Sequence, residues 1–372
     1  MKTLCFNITN NCNFNCKYCF VKQNSNAMTF QVADDAVQWM IQNNPEEELT
    51  VVFFGGEPTL EWDNVIVPLV KKYPQLKYSI TTNGYLLDKE RIDFLAENNF
   101  SVLLSMDGAE QTQNYNRQEN SFKKLDNIIP YFLEKISSYG FRGTIIPDTC
   151  ENTFENILYA HNKGFNQCYF TINIFEHWDE HNKEKLELEI KKYVLAYINS
   201  FINDQPIINF TPFTSMIELL IKKDMDMLDN TVNLYKCGLG NGYGAVDYKG
   251  DLFTCQEIVT DKQNNELFKI GNIYNGIDVN KIENLQKLII NDLPVTNDTN
   301  IDCIKCPLLF CCKKNTCQVN NYICNQNCLI QSNNQCWWNL LLYRAAVLTI
   351  SLLQDISKFQ EYIEYMVLKE EV

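Results

Sequence analysis

The chain has 372 residues, 45% apolar and 21% charged, enough apolar material for two or three domains with real hydrophobic cores. Its formal net charge of −14 argues against general binding to nucleic acid or to an anionic membrane, since both need a basic surface; a basic peptide or a small molecule stays compatible. Sixteen cysteines are far too many for chance, and in a chain this long they point to bound metal rather than to the disulfide framework of a small secreted domain.

The first residues carry neither a long apolar stretch nor a small-residue cleavage site, so no secretory signal is read and the expected compartment is the reducing cytoplasm. Leu4–Ile8 reads as a strand, and Phe30, Ala33, Val37, Met40 and Ile41 form a helical stripe. Strand-like Thr50–Phe54, Tyr78–Thr82, Ser101–Ser105, Arg142–Ile146 and Cys168–Ile174 then alternate with helix-like Val65–Val70, Ile92–Leu95, Leu125–Ile136 and Phe154–Ala160. That alternation predicts an α/β fold, a parallel sheet with helices outside, and six such units fit a partial, open (β/α)6 barrel. Polar clusters fall at the strand ends, where parallel barrels place their active sites: Gly55-Gly56-Glu57-Pro58, Thr81-Thr82-Asn83-Gly84 and Ser105-Met106-Asp107-Gly108. Helical, charged sequence follows from about Asp179 to Met227. Trp337–Leu353 is apolar but short for a membrane span and reads as a buried helix. The expected division is a barrel over 1–215, a bridging region over 216–236, a cysteine-rich domain over 237–336 and a helical segment over 337–372. Cys5, Cys150 and Cys168 sit in apolar segments as small hydrophobes, and His161, His177 and His181 have no metal-like spacing.

Cys12-x3-Cys16-x2-Cys19 lies directly after the first strand. Three thiolates on one loop each suit one iron of a [4Fe–4S] cube and leave the fourth iron open. Zinc is the competing reading, but structural zinc takes four ligands and no nearby Cys or His completes a set. The spacing, with aromatic Tyr18 before the last cysteine, resembles the signature of the radical S-adenosylmethionine (SAM) superfamily. The resemblance implies that the open iron chelates SAM, that one electron releases a 5′-deoxyadenosyl radical, and that this radical abstracts a hydrogen atom. Gly55-Gly56-Glu57 resembles the family motif that binds the methionyl amino group. Ser105 and Arg117 then fall where relatives contact the SAM carboxylate and ribose, Asn83 is a further candidate, and Tyr18 is placed by the adenine.

Downstream, Cys237-x12-Gly250-x4-Cys255 is followed by Cys303-x2-Cys306-x5-Cys312-x4-Cys317 and Cys336. This resembles the SPASM extension of radical SAM enzymes that modify peptides and proteins, although the usual spacing before the fourth cysteine of the tight group is three, not four. The extension implies two auxiliary [4Fe–4S] clusters, three in all. One would use Cys237, Cys255 and Cys317, the other Cys303, Cys306, Cys312 and Cys336. The first lacks a ligand, because Tyr243 stands where sulfatase-maturing relatives have a cysteine; either the site is open or Cys324 or Cys328 completes it. Zinc also remains a reading of Cys303-x2-Cys306.

Two reactions compete. One is maturation of a ribosomally synthesised precursor peptide through a thioether or related cross-link, with epimerisation as a variant. The other is anaerobic sulfatase maturation, oxidising a Cys or Ser to formylglycine. Sulfatase maturases place a proton-accepting Asp directly after the cysteine equivalent to Cys255; here Gln256 stands there, with Glu257 next. The expectation is therefore peptide maturation. An electron donor such as flavodoxin or ferredoxin is implied. With the triad starting at Cys12, leader binding is expected to use an edge or groove of the body or a separate protein.

Overall fold

The computed structural model describes residues 1–45, 47–221, 240, 242–259, 265–290, 295–296, 303, 305–308, 317–354 and 361–362. Cys237, Cys311 and Cys312 lie outside these residues. Six strands run in sequence: β1 (Thr3–Thr9), β2 (Thr50–Gly55), β3 (Lys77–Thr82), β4 (Ser101–Ser105), β5 (Ser138–Ile145) and β6 (Cys168–Ile172). All five adjacent pairs are parallel and occur in chain order. Between them lie α1 (Phe30–Asn43), α2 (Val67–Lys72), α3 (Lys89–Glu97), α4 (Glu110–Asn116), α5 (Ser121–Lys135) and α6 (Thr153–Asn162). The expected α/β barrel is present.

Alternation along each strand separates two faces. Leu4, Phe6 and Ile8 lie on one face of β1 and are fully buried, whereas Cys5, Asn7 and Thr9 lie on the other. Phe53 of β2 stacks on Tyr78 of β3 and on Phe100 just before β4, with ring centroids 5.9 and 6.2 Å apart. Helix starts follow capping chemistry: Thr29 accepts from Val32 N at the start of α1, and Asp88 accepts from Arg91 N at the start of α3.

After β6 come α7 (Glu180–Ile202), capped by Asp179, and α8 (Thr211–Ile221). The chain then returns to the barrel. β7 (Tyr243–Val246) pairs in parallel with the outer edge of β1, Thr3 opposite Tyr243 and Phe6 opposite Val246. β8 (Asp251–Phe253), β9 (Lys269–Asn272) and β10 (Gly276–Ile277) continue outward as an antiparallel meander. The cysteine-rich part is thus grafted onto the barrel's own ten-stranded sheet. Farther on lie α9 (Val279–Ile290), α10 (Gln318–Asn325) and α11 (Asn333–Gln354). By length and composition α11 is apolar enough to cross a membrane. Here it packs on α8 and α7 and buries Trp338, Leu342, Ala346, Thr349 and Leu353, as expected for a core helix.

The close approach of two loops fixes the barrel's rim. Gly56 N donates to Thr9 O at 2.7 Å, and Glu57 N donates to Asn11 O at 2.9 Å. A Cβ on Gly56 would stand 2.1 Å from Asn11 O; one on Gly55, at φ +137°, would stand 2.2 Å from Thr9 O. Only glycine permits this contact. Two outcomes follow. Phe53→Ala is expected to cost about 3–5 kcal/mol in urea unfolding, while Leu195→Ala on α7, 65% exposed, stays within about 0.5 kcal/mol of the parent. Gly56→Ala is expected to keep most of the stability, losing about 1–3 kcal/mol, while displacing the Cys12 loop; iron retained after anaerobic loading measures that displacement, and unchanged iron would contradict it.

Candidate active site

The cysteine loop leaves β1 at this rim. Cys12 and Cys16 are half-buried and Cys19 is exposed. A tight turn joins the last two, Cys19 N donating to Cys16 O at 3.1 Å, and Phe14 N donates to Cys12 Sγ at 3.4 Å. Burial pushes the Cys12 thiol up to about 11 and Cys16 to about 12. For Cys16, Arg117 pulls back, while Asp107 and the other two thiols add to the rise. Three thiols that repel one another's charge call for a cation, and bound metal removes their protons outright.

Glu57 is almost fully buried and binds across the rim. Its Oε1 accepts from Thr59 N at 3.1 Å, Thr59 Oγ1 at 2.5 Å and Thr82 Oγ1 at 2.7 Å; its Oε2 accepts from Asn83 N at 2.8 Å. Burial raises its carboxyl above the ordinary range, and these donors offset the rise. Glu57 therefore ties the end of β2 to the end of β3 and keeps unspent acceptor capacity on Oε2. Asn83 is carried to the cysteines: its Nδ2 donates to Asn13 Oδ1 at 2.8 Å and lies 3.9 Å from Cys12 Sγ. Ser105 ends β4 at the same rim, half-buried and opposite Arg142.

Asp107 is the residue that motif reading alone does not single out. It is completely buried and accepts from Tyr18 OH at 2.7 Å, Arg117 NH2 at 2.9 Å, Asn116 Nδ2 at 3.2 Å and Thr144 N at 2.9 Å. The Arg117 guanidinium lies 5.6 Å from the Tyr18 ring centroid. Burial works against the Arg117 charge, yet Asp107, Tyr18 and Cys16 hold it more firmly protonated than an ordinary arginine. Tyr18 thus braces Arg117 through Asp107, beside Cys16. Its one sequence signal is its place in Ser105-Met106-Asp107-Gly108, two residues past the end of β4.

Two buried donors at this site, Arg117 Nε and Asn13 Nδ2, have no hydrogen-bond partner among the described residues. Each flanks a triad cysteine, and an orphaned donor is costly. An anionic group held by Cys12, Cys16 and Cys19, or a carboxylate bound next to it, supplies the acceptors that they lack. The residues therefore fit a SAM-binding iron–sulfur cluster.

In the extension, Cys255 follows β8 and sits beside Gln256, whose Oε1 accepts from Tyr243 OH. Burial raises the Glu257 carboxyl, and Arg142 of β5 pulls it back. Cys303 and Cys306 share a turn, Cys306 N donating to Cys303 O at 3.2 Å. Cys317 caps α10, its Sγ accepting from Asn320 N at 3.5 Å. Cys336 is buried in the first turn of α11. Cys5, Cys150 and Cys168 are buried as expected.

Residues 6–188 match the model of the Radical SAM superfamily. A cysteine-type anaerobic sulfatase-maturating enzyme of Clostridium perfringens is 28% identical over 287 residues, spanning 70% of this chain and 74% of its own. The radical SAM cyclopropyl synthase TigE of Paramaledivibacter caminithermalis is 25% identical over 279 residues, 68% of this chain and 50% of its own. Among solved structures, anSMEcpe with bound AdoMet has a TM-score of 0.72 at 22% identity, covering 97% of this chain and 98% of that one. Streptococcus suis SuiB bound to precursor peptide SuiA has a TM-score of 0.62 at 18% identity, covering 90% and 75%. Barrel and extension together are therefore a fold shared with these proteins, and residues 6–188, about half of the chain, are a Radical SAM superfamily domain, which makes the protein an enzyme that works with SAM and a [4Fe–4S] cluster.

Proposed function

We propose that this enzyme matures a ribosomally synthesised precursor peptide, forming a thioether or related cross-link, in the cytoplasm. The observation that carries the reading is Gln256. An amide takes no proton at neutral pH, and this one is already engaged by the Tyr243 hydroxyl, so the position after Cys255 lacks the acceptor expected of a sulfatase maturase. The likeness to SuiB, solved with its precursor peptide SuiA, supports a peptide-modifying reading, and TigE, a cyclopropyl synthase, is a radical SAM relative whose named reaction is not sulfatase maturation. The Clostridium perfringens relative supports the second reading, anaerobic sulfatase maturation, in which Glu257 would take the proton. Epimerisation is a variant of the first.

When bound, a cluster at Cys12, Cys16 and Cys19 supplies the electron that splits SAM, and auxiliary clusters in the extension supply an acceptor for an electron left by cross-linking. The protein's own work is binding and orientation. The Arg117 fork, held by Asp107, is the partner for the SAM carboxylate, with Ser105 on the same rim. Glu57 Oε2 and the strand ends at Gly55 and Gly56 receive the ammonium and backbone-facing side of the cofactor. Tyr18 keeps Arg117 in line through Asp107 and, by the resemblance, would lie by the adenine. Cys237, Cys255 and Cys317 would hold one auxiliary cluster, and Cys303, Cys306, Cys312 and Cys336 the other. Flavodoxin or ferredoxin is the proposed electron donor, and either an edge or groove of the body or a separate protein is the proposed leader binder.

Asp107→Asn keeps the shape but leaves the Arg117 charge buried without its counter-ion. It is expected to weaken SAM binding about tenfold or more, roughly 1.4 kcal/mol, measured by anaerobic equilibrium binding; unchanged affinity would remove Asp107 from the site. Anaerobic reconstitution is expected to load roughly twelve irons per chain, and iron near a single cluster would remove the auxiliary pair. The reaction itself is read by mass spectrometry on a peptide encoded beside the gene. Loss of two hydrogens marks a cross-link, an unchanged mass an epimer, and formylglycine on a neighbouring sulfatase reverses the ranking.

A further inference from the structure

Among the described residues, some buried polar atoms without partners lie away from any site, such as Thr211 Oγ1, and others lie next to cysteines. Besides Arg117 Nε and Asn13 Nδ2 at the triad, the described residues include Thr254 Oγ1 and both amide atoms of Gln318. Thr254 and Gln318 are each 1% exposed. Thr254 immediately precedes Cys255, and Gln318 immediately follows Cys317. The resemblance stated above assigns those two cysteines to the same auxiliary cluster. The segments that carry them meet: Thr254 N donates to Phe268 O at 3.0 Å, and the Phe268 ring packs against Tyr322 of α10 at 5.3 Å. Cys317 Sγ is itself set up as an acceptor, taking Asn320 N at the first turn of α10.

An unmade hydrogen bond at a buried donor costs about 1–3 kcal/mol, and each of these two donors adjoins in sequence a cysteine that the resemblance assigns to one cluster. We propose that Gln318 Nε2 and Thr254 Oγ1 are positioning donors to the sulfur atoms of a cluster held by Cys255 and Cys317, and that they set its reduction potential. Hydrogen bonds to cluster sulfurs stabilise the more negative, reduced state and raise the potential. The Gln318 carbonyl oxygen can stay unpaired more cheaply than a donor. The inference rests on the auxiliary-cluster reading, so its test separates the two.

The background protein carries Cys12→Ala, Cys16→Ala and Cys19→Ala, which leaves auxiliary iron alone. Thr254→Val and Gln318→Leu remove the donors, and Thr254→Ser keeps the hydroxyl. Redox titration followed by electron paramagnetic resonance is expected to find iron content retained and one midpoint potential lowered in Thr254→Val and Gln318→Leu, with Thr254→Ser close to the background. A tenfold loss of reduced-state stabilisation reads as ~59 mV for one electron. Retained iron with unmoved potentials in both removal variants overturns the donor role alone. A background protein that binds no iron overturns the auxiliary cluster, and this proposal with it.

Discussion

The structure depends on a backbone contact rather than on a catalytic side chain. Gly55 and Gly56, at the end of β2, press against Thr9 and Asn11, at the end of β1. Two amide bonds, Gly56 N to Thr9 O and Glu57 N to Asn11 O, hold them there. Cys12 follows Asn11 directly, so this contact decides where the cysteine loop leaves the barrel. The same turn delivers Glu57, whose carboxylate then reaches Thr82 and Asn83 at the end of β3. One steric requirement, that no Cβ intrude, thereby aligns three strand ends.

A second constraint acts from the opposite side of the rim. Asp107 and Arg117 form a buried pair, 2.9 Å apart. Such a pair earns little net stability, but removing one partner strands a charge in a poorly solvated place. Tyr18 belongs to the cysteine loop and donates to the same carboxylate, which locks the loop to the end of β4 and to the end of β5 through Thr144 N. The triad is therefore gripped between two networks, one centred on Glu57 and one on Asp107. Their unspent groups, Glu57 Oε2 and Arg117 Nε, have complementary chemistry for an amino acid's ammonium and carboxylate.

Much of this was legible in the sequence. The six parallel strands announced themselves by alternating apolar runs, because each is five to eight residues long and buried on one face by helices. Ser101–Ser105 is the same strand in sequence and structure. The triad and Gly55-Gly56-Glu57 were visible because their chemistry needs fixed residue types at short spacing. Asp107 was hidden because its meaning lies in partners far along the chain, Tyr18 before it and Thr144 after it. The attachment of β7 to β1 was hidden for a related reason: β7 to β10 have two to four residues each, too few for a periodic signal, and the register of β7 on β1 is set by pairing across more than two hundred residues. The orphaned Thr254 and Gln318 could not be read at all, since burial without a partner is a property of the fold alone.

The central claim is that Cys12, Cys16 and Cys19 together generate the radical. The direct measurement is 5′-deoxyadenosine formed from SAM by anaerobically reconstituted, chemically reduced protein, with the parent compared with a variant carrying Ala at all three positions. Formation by the parent and none by the variant is the predicted result. Equal formation by both would contradict it.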